Sequence, residues 1–436
     1  MNEISGLSIR EYYKGKIFID SGKNHGCSMQ NKKFKIGLSI VLTLLLLFTA
    51  VVGIYDYFVP DQVSVFSGES TPAYFLVTLD ENPEAVPASA VANGLPSAIT
   101  ETSARAKLFG ILPIKSVDVN YYDNIKLYPG GMPFGVKFFT QGVLVVGFTE
   151  VDSSSGKISP AYESGLRVKD IITSINGKEV NTVEEITSFI EESGGKPLSI
   201  GYMRNNTEHH TSLTPIFSTS ESRYKAGVWI RDSTAGIGTV TFINPANKAF
   251  AGLGHGICDV DTGELMPLMK GSVTNVTISG ITKGLAGAPG EIKGYFTGDK
   301  TGTLIGNTEA GVYGMFTEVP SGVPEGPLPI ALRNQVKEGK AYIWSTLEND
   351  APRKYEINIS DINRNSNALT KSFVIKVTDP ALLELSGGIV QGMSGSPIIQ
   401  NGRIVGAVTH VLINDPTTGY GIFIENMLKS MPQLLK

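Results

Sequence analysis

The 436-residue sequence predicts a mainly β protein of two or more domains behind a single N-terminal apolar helix. Three observations carry that prediction. The 49 glycines lie mostly in short clusters between runs rich in Val, Ile and Thr, the punctuation of strands joined by tight turns. More than ten such runs follow Ser218, among them GIGTVTFI, SVTNVTISGIT and GRIVGAVTHV. Ahead of them all, Ile36 to Tyr55 holds about 20 residues without a charge, enough to cross a bilayer's hydrocarbon core as a helix.

Residues 1–35 form a leader ending in Lys32, Lys33 and Lys35, and Asp56 and Asp61 follow the apolar segment. The positive-inside rule keeps the leader in the cytoplasm and exports everything after Asp56. A cleaved signal peptide is the alternative, with Val51 and Gly53 at a cut site, but the apolar run exceeds the usual core of ~7 to 15 residues. The reading adopted is a transmembrane anchor over 36–55. Cys27 and Cys258 then lie on opposite sides of the membrane and cannot pair. A net charge of −4 without a long basic run leaves no electrostatic footprint for nucleic acid.

Residues 56–130 read as an exported β region with strands at VSVF and YFLVTL, interrupted by a Pro, Ala and Ser linker from Glu81 to Glu101. That linker is the candidate for self-cleavage, since exposed flexible segments are where proteolysis concentrates. Residues 131–217 then give a loop and strands at MPFGVKFFT and GVLVVGFTEV, a short helix, and a strand that ends in the turn Asn176-Gly177. A helix follows, with Val183, Ile186, Phe189 and Ile190 on one face, before two closing strands. Ser159-Pro160-Ala161, Gly165-Leu166, Lys169-Asp170-Ile171-Ile172 and Ile175-Asn176-Gly177 make this stretch resemble a PDZ domain. Such domains bind a peptide as an added strand and hold its carboxylate on backbone N–H groups of a loop. The resemblance puts that loop at Pro133, Phe134, Gly135 and Val136.

Within 218–436 the sharpest signal is Gly392-Met393-Ser394-Gly395-Ser396-Pro397, followed by IIQNGRIVGAVTHV. A nucleophilic serine needs an exposed hydroxyl on a tight turn, with N–H groups aimed at the developing oxyanion. The turn and the hairpin after it resemble trypsin-like enzymes, whose fold is a double β-barrel. That likeness makes Ser394 the nucleophile, gives the oxyanion N–H groups to Gly392 and Ser394, and makes Thr409, His410 and Val411 the edge of the substrate cleft. Histidine suits the base by its pKa. His25 falls in the leader and the His209 and His210 pair in the PDZ-like stretch, leaving His255 and His410. His255, between glycines at the end of AFAGLG, is the candidate base, with a hydrogen-bonded structural histidine as the plainer alternative. For the orienting acid, Asp259 and Asp261 read as turn residues, whereas Asp379 follows an apolar strand and keeps the order His, Asp, Ser. Asp379 either orients His255 or shapes the specificity pocket.

Taken with KLFGILPIK, KLYPGG, GLGHGICDVDTG, KVTDP and QGMSGSPIIQNGRIVGAVTHVL, the exported chain resembles the stage IV sporulation protein B peptidases of endospore-forming bacteria. The resemblance implies a serine endopeptidase anchored in the inner forespore membrane with its bulk in the intermembrane space. It implies cleavage of itself in trans and of the regulatory subunit of a membrane-embedded protease that processes a sigma factor. It also implies His255, Asp379 and Ser394 as the essential triad, with the PDZ domain guiding targeting. No cofactor and no metal are expected, since neither a ligand cluster nor a phosphate loop is evident. Two alternatives stand beside this reading: a quality-control protease of the HtrA type, which places its peptidase before the PDZ domain, and a non-catalytic scaffold led by the PDZ domain.

Overall fold

The computed structural model describes residues 25–72, 74–81, 99–323, 326–348, 351–365 and 369–435. One helix runs from His25 to Phe58, and its 25-residue stretch Phe34–Phe58 contains an 18-residue window with a mean hydropathy of 2.6. At 1.5 Å per residue that stretch is about 37 Å long, against a hydrocarbon core of about 30 Å. It contains the expected span 36–55. Most of the leader, residues 1–24, and most of the candidate self-cleavage linker, residues 82–98, lie outside the described residues.

The residues after Pro60 begin with a four-stranded sheet of Gln62–Phe66, Val77–Glu81, Ile99–Leu108 and Leu112–Tyr122, whose first strand lies parallel to the last. Phe66 and Tyr122 from this sheet share a core with Trp344, Ile330 and Met427 of the C-terminal region. At the same seam Arg333 Nε meets Glu425 Oε2 at 2.6 Å, and the Ser64 hydroxyl donates to Glu425 Oε2 at 2.8 Å. Both charges are buried. Removing one partner of such a pair costs about 3–5 kcal/mol because the other charge is stranded.

Two closed barrels follow. The first is built from β1 (Pro133–Phe148), β2 (Val228–Ile243), β3 (Ala249–Gly252), β4 (Leu268–Thr282), β5 (Glu291–Thr308) and β6 (Gly311–Phe316). Around it β1 pairs with β4, β4 with β5, β5 with β6, β6 with β3, β3 with β2, and β2 again with β1. The second contains β7 (Gly339–Ser345), β8 (Arg353–Ser360), β9 (Phe373–Val377), β10 (Pro397–Gln400), β11 (Arg403–Leu412) and β12 (Asp415–Phe423), in the order β7-β8-β9-β12-β11-β10 with β10 closing on β7. Along the stretches that close the barrels no edge is left free, which is how so many short strands avoid open pairing sites.

The PDZ-like domain does not precede the barrels as the expected boundaries 131–217 and 218–436 had it. It is inserted between the first two strands of the first barrel. Val143 and Leu144, in the distal half of β1, pair with Ile172 and Ile171, and the sheet continues through Leu198–Arg204 and Thr207–Leu213. The helix Val183–Glu192 closes the domain; Thr182 and Glu185 form its capping box, and Ile186 and Ile190 face inward. Asn176 and Gly177 both have positive φ, as the hairpin turn between Ile171–Ile175 and Lys178–Glu179 requires.

One assigned site changes with this topology. Pro133, Phe134, Gly135 and Val136 are not a carboxylate loop but the start of β1, paired on one side with Ile237–Thr239 and on the other with Thr274 and Val273. Phe134, Val136 and Phe138 alternate into the barrel core, where Phe134 lies edge-on to Phe250 at 5.8 Å. Gly135 is needed there because a Cβ would fall 2.4 Å from the Phe296 ring.

Candidate active site

The site forms where the Ser394 turn of the second barrel meets the end of β3 in the first. The β3 strand ends in Leu253 and Gly254, with φ of 67° and 69°, and this double left-handed step sets His255 off the strand. Thr239 of β2 lies between the segments that carry Ser394 and His255. Its carbonyl accepts from Leu253 N at 3.2 Å, its N–H donates to Ser394 O at 3.1 Å, and its hydroxyl donates to Gly392 O at 2.7 Å. Two residues on, the Thr241 hydroxyl donates to Gly395 O at 2.8 Å. The backbones approach so closely that a Cβ on Gly395, whose φ is 95°, would lie 2.0 Å from Thr239 O and 2.4 Å from Leu253 N. Only glycine fits that contact.

The turn itself is fixed by Met393 N donating to Val390 O, Ser396 N to Met393 O, and Gly395 N to Val408 O. Among the described residues, no backbone partner takes the N–H groups of Gly392 and Ser394, the two residues assigned to the oxyanion. The half-buried Ser394 donates its hydroxyl to Thr409 O at 2.7 Å, so the predicted cleft strand holds the serine in this resting state. Thr409 is anchored in turn through its hydroxyl, which donates to Thr370 O at 2.7 Å. Val411 continues the strand, pairing with Gly419.

His255 is half-buried, and its Nδ1 is 2.9 Å from Gly256 O. A carbonyl can only accept, so the neutral ring carries its proton on Nδ1 and leaves Nε2 free to take one. Burial pushes the His255 pKa below its ordinary value, opposed by the Gly256 bond. His410 lies tilted against it with ring centroids 5.1 Å apart. Although exposed at the rim, His410 is pulled down to about 4, first by partial burial of its ring, then by the charges of His255 and Lys371. The cleft in front of the two rings has a volume of about 590 Å³, with Cys258, Glu264, Glu309 and Lys371 on its walls.

The Asp379 carboxylate does not bond to His255. One oxygen accepts from the N–H groups of Ala381 and Leu382, and the other from Glu356 N, so the side chain caps the helix Pro380–Ser386 and ties it to β8. Asp followed by Pro is a helix start, with Asp at the N-cap and Pro in the first turn. What steadies His255 instead is the turn after it. Asn307 accepts from Ile257 N at 2.8 Å and donates to Ile257 O and Met266 O, both at 2.9 Å. Farther along, Arg231 grips Asp259 and Asp261. Burial resists ionisation of Asp259, but Thr262 and Arg231 outweigh it and hold its carboxyl below the usual range. Asp259 is thus a turn residue, as expected, with an ionic role that the sequence did not reveal. Asn307 lies about fifty residues from His255, and nothing in the local pattern marked it. The thiol of Cys258 is raised by partial burial and by Glu264 and Glu309, which disfavours the thiolate. Among the described residues, no group of three or more His, Cys, Asp or Glu side chains is placed to hold a metal.

Residues 222–428 match the family SpoIVB peptidase S55, and residues 151–204 match the PDZ domain family. Over 60 residues the chain is 38% identical to a zinc metalloprotease, RasP, of Shouchella clausii, covering 14% of each protein; over 90 residues it is 30% identical to a probable protease, eep, of Enterococcus faecalis, covering 20% of each. The chain therefore spans a fifth or less of the length of these relatives. Among solved structures it aligns with the PDZ domain of an SdrC-like protein from Listeria monocytogenes at 19% identity, covering 21% of this chain and 87% of that one, with a TM-score of 0.17. It also aligns with the active form of the Rv3671c protease from M. tuberculosis at 14% identity, covering 45% and 72%, with a TM-score of 0.26.

Two outcomes are expected from this geometry. Asn is as good an N-cap as Asp, so peptidase activity of Asp379→Asn should stay within about tenfold of wild type, with Asp379→Ala the more damaging change. An orienting carboxylate would instead lose about 10⁴-fold with Asn. Since the base must be neutral and its pKa is lowered, kcat/KM should rise with pH through an inflection below the ordinary histidine value of ~6.5 and hold its plateau above it. An inflection above that value would contradict the buried, neutral His255.

Proposed function

With residues 222–428 assigned to the SpoIVB peptidase S55 family and a PDZ domain built into the same fold, we propose that this serine peptidase is a membrane-tethered endopeptidase of sporulation signalling. It cleaves itself in trans and then cleaves the regulatory subunit of a membrane-embedded protease that processes a sigma factor. Its apolar helix Phe34–Phe58 anchors it in the inner forespore membrane, and its barrels act in the intermembrane space.

The observation that carries this reading is the convergence of Ser394 and His255 at one junction of the two barrels, stitched by Thr239. In the reaction His255 Nε2 takes the proton of the Ser394 hydroxyl once that hydroxyl leaves Thr409 O. Ser394 Oγ attacks the scissile carbonyl, and the N–H groups of Gly392 and Ser394 receive the oxyanion. His255 then delivers the proton to the leaving amine, and water reverses the sequence on the acyl-enzyme. The partner peptide of the PDZ domain adds beside Val228–Arg231, the outermost strand of that domain's sheet, which follows the loop Lys225-Ala226-Gly227 and runs on into β2. In this reading the carboxylate is held by the loop Lys225-Ala226-Gly227 rather than by Pro133 to Val136, which lie in β1.

The full chain reconstituted in liposomes tests the proposal through its own fragmentation. Wild type should release N-terminal fragments, located by intact mass, and Ser394→Ala should remain whole. Adding wild type to Ser394→Ala should restore cutting of the inactive chain. Fragmentation that survives Ser394→Ala in a pure sample would remove Ser394 as the nucleophile, and intact wild type would remove self-cleavage.

A further inference from the structure

The four-stranded sheet that follows the apolar helix exposes an apolar tip. Two neighbouring turns make it. Phe75 and Leu76 lead into Val77–Glu81, and Phe109 and Ile111 join Ile99–Leu108 to Leu112–Tyr122; Phe109 N donates to Leu76 O at 2.8 Å, which holds the turns side by side. Relative exposure is 81% for Phe75, 64% for Phe109 and 84% for Ile111. Within the same sheet Val77, Ala104, Ala106 and Leu108 are buried, so the fold has a core without the tip side chains.

The turns are unusual in residue type. Leu76 and Phe109 adopt φ of 59° and 54°, a left-handed conformation that turns normally give to Gly or Asn. From Tyr74 to Leu79 and from Leu108 to Ile114 there is no charged residue. The first charges inward are paired, Lys107 with Asp80 at 2.5 Å and Lys115 with Asp61 at 2.7 Å.

Strand register places the tip at a definite end of the sheet. Gln62, where the chain enters, lies opposite Asp118 in a parallel pair, and Leu112 is six residues earlier on that strand. At about 3.3 Å per residue the tip lies about 20 Å from Gln62, back along the direction from which the chain arrives. Gln62 is itself four residues from Phe58, so the chain cannot carry it more than about 14 Å from the end of the apolar helix. The tip thus lies at the end of the sheet where the chain enters after the apolar helix. Tyr55, Tyr57 and Phe58 at the close of the helix are the aromatic types enriched where a span meets the headgroups.

We infer that Phe75, Leu76, Phe109 and Ile111 form a second membrane contact, inserted in the outer headgroup region of the bilayer that the helix crosses. It rests on the reading of Phe34–Phe58 as a span. With two contacts instead of one flexible connection, the sheet is held at a fixed height, and with it the barrel seam that the sheet shares through Phe66, Tyr122 and Ser64.

Full-length Phe109→Trp in nanodiscs, at one copy per disc, tests this through the difference in tryptophan emission from wild type, which retains only the exposed Trp229 and the buried Trp344. With lipids brominated near the headgroup, the added emission should be blue-shifted and lost relative to unbrominated lipid, while wild-type emission stays unchanged. Protein retained in the discs with an unquenched, solvent-like added emission overturns the tip and leaves the span standing. A blue shift that bromine does not quench and that grows with copies per disc assigns the tip to self-association and also overturns the inference. Protein that does not stay with the discs overturns the span and the tip together.

Discussion

The structure depends on the contact between Thr239 and the two segments that carry Ser394 and His255. Neither segment belongs to the same barrel as the other, and no covalent link shorter than 139 residues joins them. Three backbone and side-chain hydrogen bonds from one threonine, and a fourth from Thr241, replace that link. Because Gly395 brings its backbone against Leu253 without a Cβ between them, the spacing of the two segments that carry Ser394 and His255 is set by main chain. Main-chain contacts move little with side-chain rotamers, which suits a pair of groups whose reaction fails when misplaced by an ångström.

The same strand ties the PDZ domain to the junction that carries Ser394 and His255. The β2 strand is the outermost PDZ strand at Val228–Arg231 and a barrel strand by Thr239, so one continuous ribbon runs from the PDZ sheet to the junction of the Ser394 and His255 segments. Side chains reinforce it: Arg231 holds Asp259 and Asp261, and Lys169 of the PDZ domain meets Glu264 at 2.6 Å. Both grip the loop that follows His255. A chain built in this way has no independent linker between its PDZ sheet and its first barrel.

The sequence was legible where a local pattern determines local geometry. Ser394 and His255 stood out because glycines on both sides mark backbone that must turn sharply or approach closely, and the structure uses Gly254 and Gly395 in those ways. The helix 183–192 and the turn at Asn176-Gly177 were legible for the same reason. What sequence order concealed was insertion: MPFGVKFFT and GVLVVGFTEV read as two PDZ strands, whereas they form one strand that serves the barrel first and the PDZ sheet second. The alternation of Phe134, Val136 and Phe138 was the available signal of a core strand. At Asp379 the order His, Asp, Ser pointed to an orienting acid or a pocket residue, while the Asp-Pro helix start, with Gly387 closing that helix at φ 73°, was the local signal of the cap that the structure shows. Asn307 was beyond reach, since its partners are about fifty residues away.

The central claim is that Ser394 is a nucleophile activated by His255, and an organophosphonate that modifies only activated serines tests it most directly. The full chain in liposomes, treated with a fluorophosphonate and mapped by peptide mass, should carry the label on Ser394, and His255→Ala should lose it while keeping its fold. Absence of label on folded wild type, or labelling of Ser394 that does not depend on His255, would contradict the account.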